Sequence, residues 1–473
     1  MESSLTRSFV EALWGVSWAD APEVARHAVR TLLCDHLGVT IAGASTESAA
    51  VMRRHLRTWS TTVGAEQPML GSAQTGSALD AAMANAVAAH SIEFDDVHCP
   101  ASLHPGVVVF PAAFAAHGLR PSTEEDFLTA VLRGYEAMCR VGRALNPVAH
   151  YARHFHPTGT TGSFASAVVA ASMLGLDPGE ATAALGVAAS LASGSMEFLT
   201  DGAWTKRLHP AFAVRNGIQA ALLVTDGILA PTDGLAGARG FLQAYSADSN
   251  PEELLRAFGE RPLEISLTSI KPHSCCRYVQ GPIDAVLSLR ASHGIDPGRV
   301  HSVKLGIPTV ARDIVAEPRA EKRSPANVVD AQFSLPFGAA VALLEGRAGL
   351  TEYSELTISS TAVQKLMKRV EHVVDPALDA VFPDEWLAWA EITTDDGQVW
   401  RSDIAAPKGD PLNPVSDEEL EAKFRDLVKS ALAPDDSSAV LAAVGGIDGA
   451  GGLERLQRAL TAATGVGTAG AGQ

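Results

Sequence analysis

Between residues 90 and 106 the chain reads His-Ser-Ile-Glu-Phe-Asp-Asp-Val-His-Cys-Pro-Ala-Ser-Leu-His-Pro-Gly. His90, Glu93, Asp95, Asp96, His98 and His104 thus fall within fifteen positions, between two segments that are almost wholly apolar. Ionisable groups are costly in an apolar setting, and a cluster of them there marks a place for proton chemistry. Histidine suits that work because its charge changes near neutral pH, and a nearby carboxylate can orient the ring or raise its basicity. His90 is expected to end a helix, with Glu93, Asp95 and Asp96 in the turn that follows. His104 and Glu93 or Asp96 are the catalytic candidates. The plain alternative is a helix-linking loop with capping aspartates and surface histidines. The residue types would also suit a metal, but the spacing matches no zinc or calcium pattern, and no metal is assigned.

Three further segments carry polar chemistry. In His154-Phe-His-Pro-Thr-Gly-Thr-Thr-Gly-Ser163, His156 precedes a Gly- and Thr-rich helix start whose amide groups can attract a carboxylate, with Thr158 at its head. The stretch Gly194–Pro210 brings Asp201, Lys206, Arg207 and His209 together between two apolar helices, and Lys206 is the candidate for holding a substrate carboxylate. In Ile270-Lys-Pro-His-Ser-Cys-Cys-Arg-Tyr278, Lys271 and Arg277 supply positive charge, His273 a proton carrier, and Tyr278 a pocket-closing ring. Cys276 is either a thiol acid or base, or a small buried hydrophobe. Together these point to a cleft where a polycarboxylate is held while a carbon acid loses its proton, the developing charge being met by cations and hydroxyl donors.

The elements that must position these groups read as helix after helix through the first half. Asp20 and Glu23 form a capping-box start for a helix running to Gly38, and Asp177 and Glu180 form another for Pro178–Leu191. Thr75–His90, Val107–His117, Thr161–Leu174 and His209–Asp226 complete the series. Near Glu264 the pattern changes. Arg299–Ile307 predicts a strand with its odd-numbered face buried, and Trp389–Thr394 and Gln398–Ile404 flank Asp395-Asp396-Gly397 as a hairpin. Ala331–Leu344 and Thr361–Val374 read as helices. Ser416 and Glu419 cap a further helix to about Leu432, and shorter ones follow at Asp436–Leu441 and Leu453–Leu460.

Composition sets the outer limits. At 473 residues two domains are expected, and 47% hydrophobic against 19% charged residues leaves an ample core. A net charge of -17, from 54 acidic and 37 basic residues, argues against binding nucleic acid or an anionic membrane. Five cysteines at no disulfide spacing fit a reducing compartment. The amino terminus lacks a secretion-signal pattern, and no apolar stretch is long enough to span a membrane, so the expected location is cytoplasmic. Nothing in the pattern indicates an organic cofactor or an iron–sulfur cluster.

The motifs His-x-x-x-Phe-Asp-Asp…His-Pro-Gly, Phe-His-Pro-Thr-Gly, Thr-Lys-Arg-Leu-His-Pro and Lys-Pro…Cys-Cys-Arg-Tyr, in that order, resemble the MmgE/PrpD family over about residues 5–460. That family contains 2-methylcitrate dehydratase, cis-aconitate decarboxylase and iminodisuccinate epimerase. The resemblance implies a large all-helical domain and a smaller α+β lid, a homodimer, and a cofactor-free site between the two domains. It also implies a site built from positions 93, 97, 104, 156, 206, 271 and 276. This chain keeps His104, His156, Lys206 and Lys271. It carries Glu93, Val97 and Cys276 where the decarboxylase branch has aspartate, threonine and histidine. The change at 276 argues against cis-aconitate decarboxylation. The longer acid at 93 moves its carboxylate by roughly 1 Å, enough to matter for rate.

The sequence therefore predicts a mainly α fold: a large all-helical domain from 1–264 and 406–462, an α+β lid from 265–405 inserted before the C-terminal helices, and a flexible tail from 463–473. The expected activity is a cofactor-independent lyase that dehydrates a small polycarboxylate by abstracting the proton α to a carboxylate or carbonyl. Epimerisation is the alternative, since it begins with the same proton. A specialised biosynthetic step on a larger substrate, a non-catalytic binding protein on this scaffold, and a metal-dependent hydrolase using His90, His98 and His104 are the others. Expected catalytic residues are His104, His156, Glu93, Asp96 and Cys276. Expected substrate-binding residues are Lys206, Lys271, His273, Arg277, Tyr278 and Thr158. The expected partner is a small anionic substrate.

Overall fold

A computed structural model describes residues 4–61 and 66–463. The fold is mainly α, with one four-stranded sheet and two two-stranded ladders among the described residues. The helix Pro157–Leu174 lies at the centre of the helical part, packed by Thr205–Thr225, Glu124–Ala144, Gly106–Leu119 and Pro178–Leu191. Small residues allow this. A Cβ at Gly217 would collide with the Ser166 hydroxyl and meet Ser163 O at 2.5 Å, so only glycine lets these two helices approach so closely. Rings such as Phe110, Phe127, Tyr135 and Phe164 fill the space between helices, and burying each contributes about 1.5–3 kcal/mol.

Two apolar cores run through the chain. One joins side chains from Phe9 to Ile270 with Leu420–Leu460, so the C-terminal helices pack back on the first half. The other is built from Cys275–Ile392. It holds the helices Arg277–His293 and Leu335–Glu345 against a sheet in which Val300–Ile307 lies between Val370–Val374, parallel to it, and Ala388–Thr394, antiparallel. Val399–Ile404 completes the edge, joined through the Asp395-Asp396-Gly397 turn, where Gly397 takes a φ of 81°.

Several elements differ from the sequence reading for identifiable reasons. The second helix is Glu23–Gly43; Pro22 takes the cap position with no side-chain cap, while Asp20 accepts from Ser17 instead. It runs through Gly38, because that glycine lies against Phe424, whose Cδ2 would be 3.0 Å from an added Cβ. Thr75–Ser77 is a short strand, with the helix starting at Ala78 under a Ser77 cap. The segment 361–374 is a helix only over Thr361–Met367. The β-branched Val-Glu-His-Val-Val then joins the sheet, and its edge pairing overrides the helical reading. Ala331–Leu344 is broken at Phe333–Ser334, where the Ser334 hydroxyl caps a new helix. In Val300–Ile307 a register shift between Val300 and Ser302 buries Val300 and exposes His301, so the odd-face rule holds only from Val303 onward. The final helix ends at Ala463, and the rest of the expected tail lies outside the described residues.

Candidate active site

The alanine-rich helix Ala78–Ala89 ends at His90, as the sequence predicts, and delivers the loop that carries Glu93. Glu93 takes a left-handed φ of 52°, a strained conformation for a side-chain-bearing residue, which something must enforce. Side chains from distant segments enforce it. Ile92 O accepts from Ser274 Oγ at 2.7 Å and Gln332 Nε2 at 2.9 Å. Glu93 O accepts from Lys271 Nζ at 3.1 Å, and Phe94 O from Lys423 Nζ at 3.1 Å. Three consecutive buried carbonyls are therefore satisfied by residues 178 or more positions away, and the acid is aimed by the second core and the C-terminal helices.

Lys423 is the most heavily engaged of these groups. Besides Phe94 O, its ammonium donates to Asp35 Oδ1 at 2.6 Å and to Lys271 O at 2.8 Å. Replacing it with methionine leaves a buried carboxylate and two carbonyls without a donor. The expected result for Lys423→Met is a loss of about 3–5 kcal/mol in a urea denaturation series, partly recovered by adding Asp35→Asn. A midpoint indistinguishable from wild type would contradict this role.

The imidazoles are held by one carboxylate. Asp95 Oδ2 lies 2.7 Å from His90 Nδ1 and 3.1 Å from His104 Nδ1, while Asp95 Oδ1 faces Lys271 Nζ at 3.4 Å. His104 Nδ1 also lies 2.7 Å from the carbonyl of Asp96. A carbonyl can only accept, so His104 Nδ1 carries a hydrogen and the neutral ring keeps its basic lone pair on Nε2. Burial pushes the Asp95 pKa up, but His104, Lys271 and His90 outweigh it and hold the group well below the usual carboxylate range. Burial brings His90 down to about 4, against the opposing pull of Asp95. Thr158 Oγ1 accepts the backbone N–H of His104 at 3.1 Å. His156 and His209 share a hydrogen between their Nδ1 atoms, 2.9 Å apart, and burial keeps His156 well below the usual histidine range. Both rings of that pair are neutral near pH 7.

Lys206, in the first turn of Thr205–Thr225, pairs with Glu93 and sits 4.9 Å above the Phe333 ring. Burial would raise the Glu93 pKa, but Lys206 and Lys271, which lies 3.7 Å from its other oxygen, hold it at about 2. These groups open on a cavity of about 50 Å³ between the two cores. Its walls include Glu93, His104, His156, Lys206, Cys276, Arg277 and Tyr278.

The structure thus brings together seven of the eleven residues singled out from sequence. The other four lie off the cavity wall. Lys271 is fully buried beneath the Glu93 loop and holds Glu93 and Asp95 rather than facing the cavity. His273 pairs with Asp284 at 2.9 Å. Thr158 supports His104 through its backbone. Asp96 lies behind the wall, accepting from Tyr135 Oη at 2.8 Å and from Gly106 N at 3.0 Å; its own carbonyl, not its carboxyl, meets His104. Cys276 lines the cavity as a neutral thiol, since burial and Glu93 both raise its pKa. That form cannot serve as a base at neutral pH. His98, also in the first cluster, turns away to Glu264 at 2.7 Å.

Sequence reasoning assigned no role to Asp95 beyond membership of the cluster, and it missed Asp35 and Lys423. Asp35 had a signal, an acid inside the apolar run Leu32–Leu37. Lys423 had none, because it sits among the charged residues of an amphipathic helix.

Burial, with the neighbouring Asp95 charge, raises Asp96 from 3.8 to about 8. Between those values the folded protein holds one proton that the unfolded chain releases, so this group's contribution falls with rising pH and levels off above 8. Asp96→Asn should therefore gain in Tm over wild type from pH 5 to pH 8, with a constant difference beyond. A difference independent of pH across that range would overturn the assignment.

His90, Asp95 and His104 place three ligand atoms within 4.8 Å of one another, a set that could accept a divalent ion. The Lys271 ammonium beside the same carboxylate already supplies the positive charge such an ion would bring. A hydrogen-bonded imidazole–carboxylate unit accounts for all three groups. No helix among the described residues is long and apolar enough to cross a membrane.

Residues 7–254 match the MmgE/PrpD N-terminal domain, and residues 273–446 match the MmgE/PrpD C-terminal domain. The chain is 30% identical over 376 residues to the cis-aconitate decarboxylase-like protein oryM of Aspergillus oryzae, covering 74% of this chain and 76% of that protein. It is 27% identical over 442 residues to cis-aconitate decarboxylase of Homo sapiens, covering 90% and 88%. It is 25% identical over 381 residues to cis-aconitate decarboxylase of Aspergillus terreus, covering 76% and 77%.

Proposed function

The chain belongs to the MmgE/PrpD family of enzymes, and from that premise we propose that it is a cofactor-independent lyase acting on a small carboxylate substrate. One observation carries the reading: His104 is tethered at Nδ1 by Asp96 O and Asp95, which leaves Nε2 as a base on the cavity wall. His104 Nε2 takes the proton from the carbon next to a carboxylate or carbonyl, and Asp95 stabilises the imidazolium that results. Negative charge developing on the substrate oxygen is met by Lys206, which the Glu93 carboxylate holds in place. In dehydration the C–H electrons form the C=C bond, the C–O bond breaks, and the His104 imidazolium gives the proton it took to the departing hydroxyl, which leaves as water and returns the ring to its neutral state, with neutral His156 beside it on the cavity wall. The unit built on the second core acts as a lid, since Ser274 and Gln332 from that unit, with Lys271 just ahead of it, grip the Glu93 loop.

A second reading is epimerisation. Two imidazoles on one cavity favour it, because one ring can remove the proton and the other can relay a proton from solvent to the opposite face of the carbanion. The decarboxylation for which the relatives are named also leaves a carbanion, formed by loss of carbon dioxide rather than of a proton. Here the neutral thiol of Cys276 stands where the resemblance implies a histidine in that branch, which supports dehydration or epimerisation first. Incubation with a panel of hydroxy- and amino-dicarboxylates in deuterated water, read by mass spectrometry, separates these outcomes. Loss of water indicates dehydration, and deuterium gain without other mass change indicates epimerisation. No exchange with any carboxylate would overturn the proposal.

A further inference from the structure

His156 meets the cavity, but its Nδ1 is taken by Nδ1 of His209, 2.9 Å away. His209 stands in the second turn of Thr205–Thr225, is partly exposed, and is not part of the cavity wall. The backbone holds this contact. An added Cβ at Gly159 would lie 3.0 Å from His209 Cβ and 2.7 Å from Ser193 O, so only glycine admits the ring here. His156 N donates to Gly194 O at 2.9 Å, and the Phe198 ring packs on both imidazoles, 6.2 Å from each between centroids. Nε2 of either ring makes no hydrogen bond among the described residues.

Two Nδ1 atoms at that distance hold one hydrogen between them. Two hydrogens would clash, and none would set lone pair against lone pair. A neutral pair therefore has two arrangements. When His209 donates, His156 carries its hydrogen on Nε2 and is an acid toward the cavity, while His209 Nε2 is bare. When His156 donates, its Nε2 is a bare base and His209 carries hydrogen on Nε2. Charge is disfavoured on both rings. Burial, then His90 and Lys206, bring His209 down to about 4, and burial with His209, Lys206, His90 and His104 acts on His156 in the same sense.

We propose that His209 is a positioning residue that acts through His156: the pair is a two-ring proton relay between solvent and the cavity, and the shared hydrogen sets whether His156 gives or takes a proton. This rests on the carbanion reading above and supplies the return proton of its epimerisation branch. After His104 has taken the α proton, His156 gives its Nε2 hydrogen to the carbanion, whose electron pair forms the new C–H bond. The shared hydrogen crosses from His209 to His156, and water gives a proton to His209 Nε2. The hydroxide left behind is neutralised by the proton that His104 releases to solvent. Both rings end neutral, in the second arrangement, where His156 Nε2 is the base for the substrate of opposite configuration. Exchange with water at the two Nε2 atoms restores the first arrangement.

Two measurements on the whole protein test this. The first needs no substrate. Long-range nitrogen–proton correlation on histidine-labelled protein near neutral pH, assigned with His156→Gln and His209→Asn, should show both rings neutral, with their nitrogen shifts averaged between protonated and bare. A single fixed tautomer of His156, or an imidazolium in either ring, would overturn the relay. The second follows solvent deuterium into single enantiomers of malate and aspartate. Deuterium entry with inversion should fall about tenfold or more in His209→Ala and in His209→Asn. Imidazole in the buffer should restore it in His209→Ala but not in His156→Ala, a response that a merely structural loss would not give. His209→Asn keeps a hydrogen-bonding group opposite His156 Nδ1 and so covers misfolding of the alanine variant. Wild-type inversion in folded His209→Asn, or no recovery of folded His209→Ala with imidazole, would overturn the proposal. Averaged tautomers without any exchange in the wild type would count against the carbanion reading alone, and wild-type exchange only with retention would count against the relay alone.

Discussion

Replacing His104 with glutamine should lower the rate of substrate deuterium exchange by about 10²–10⁴, the range expected for loss of a general base. The side chain can still donate toward Asp96 O and Asp95, so the fold should survive while the basic lone pair is gone. Asp95→Asn should move in the same direction with the ring still present, because the carboxylate proposed to stabilise the imidazolium loses its charge. His273→Gln gives the contrast. That residue pairs with Asp284 away from the cavity, and its variant should exchange at nearly the wild-type rate. Wild-type exchange in His104→Gln would remove the base from the mechanism.

Lys206→Met has the second large effect. In the proposed mechanism the ammonium faces the position where negative charge develops, and removing one such group should lower kcat by about 10²–10³. KM should change much less, because in the resting site Lys206 is already occupied by Glu93 and gains its full value only as the substrate oxygen becomes charged. The variant should remain folded, since Lys271 still lies 3.7 Å from the Glu93 carboxylate. With one of its two cations gone, Glu93 should titrate at higher pH than in the wild type. A variant that raises KM with kcat intact would make Lys206 a ground-state anchor instead.

What the sequence disclosed follows the range of the interactions involved. His90 at a helix end, the Asp177–Glu180 capping box and the Asp395-Asp396-Gly397 turn are local, and each stands where the pattern put it. His104, His156, Lys206 and Glu93 were legible because their residue types are conspicuous in apolar surroundings. Their assembly around one cavity depends on contacts spanning much of the chain. Which carboxylate serves which imidazole was not legible. Asp95 and Asp96 are neighbours, but the left-handed turn at Glu93, fixed by Lys271, Ser274, Gln332 and Lys423, sends Asp95 to the histidines and Asp96 to Tyr135. The same distance in sequence hid Lys423. The parallel strand at Val370–Val374 was missed because its partner lies far back at Val303–Ile307.

The direct measurement is the tautomer of His104, read by long-range nitrogen–proton correlation on histidine-labelled protein near neutral pH, with His104→Gln to assign the signal. The proposed mechanism requires hydrogen on Nδ1 and an unprotonated Nε2 in the resting site. Finding the hydrogen on Nε2, with Nδ1 bare, would leave that ring without a base toward the cavity and contradict the central step.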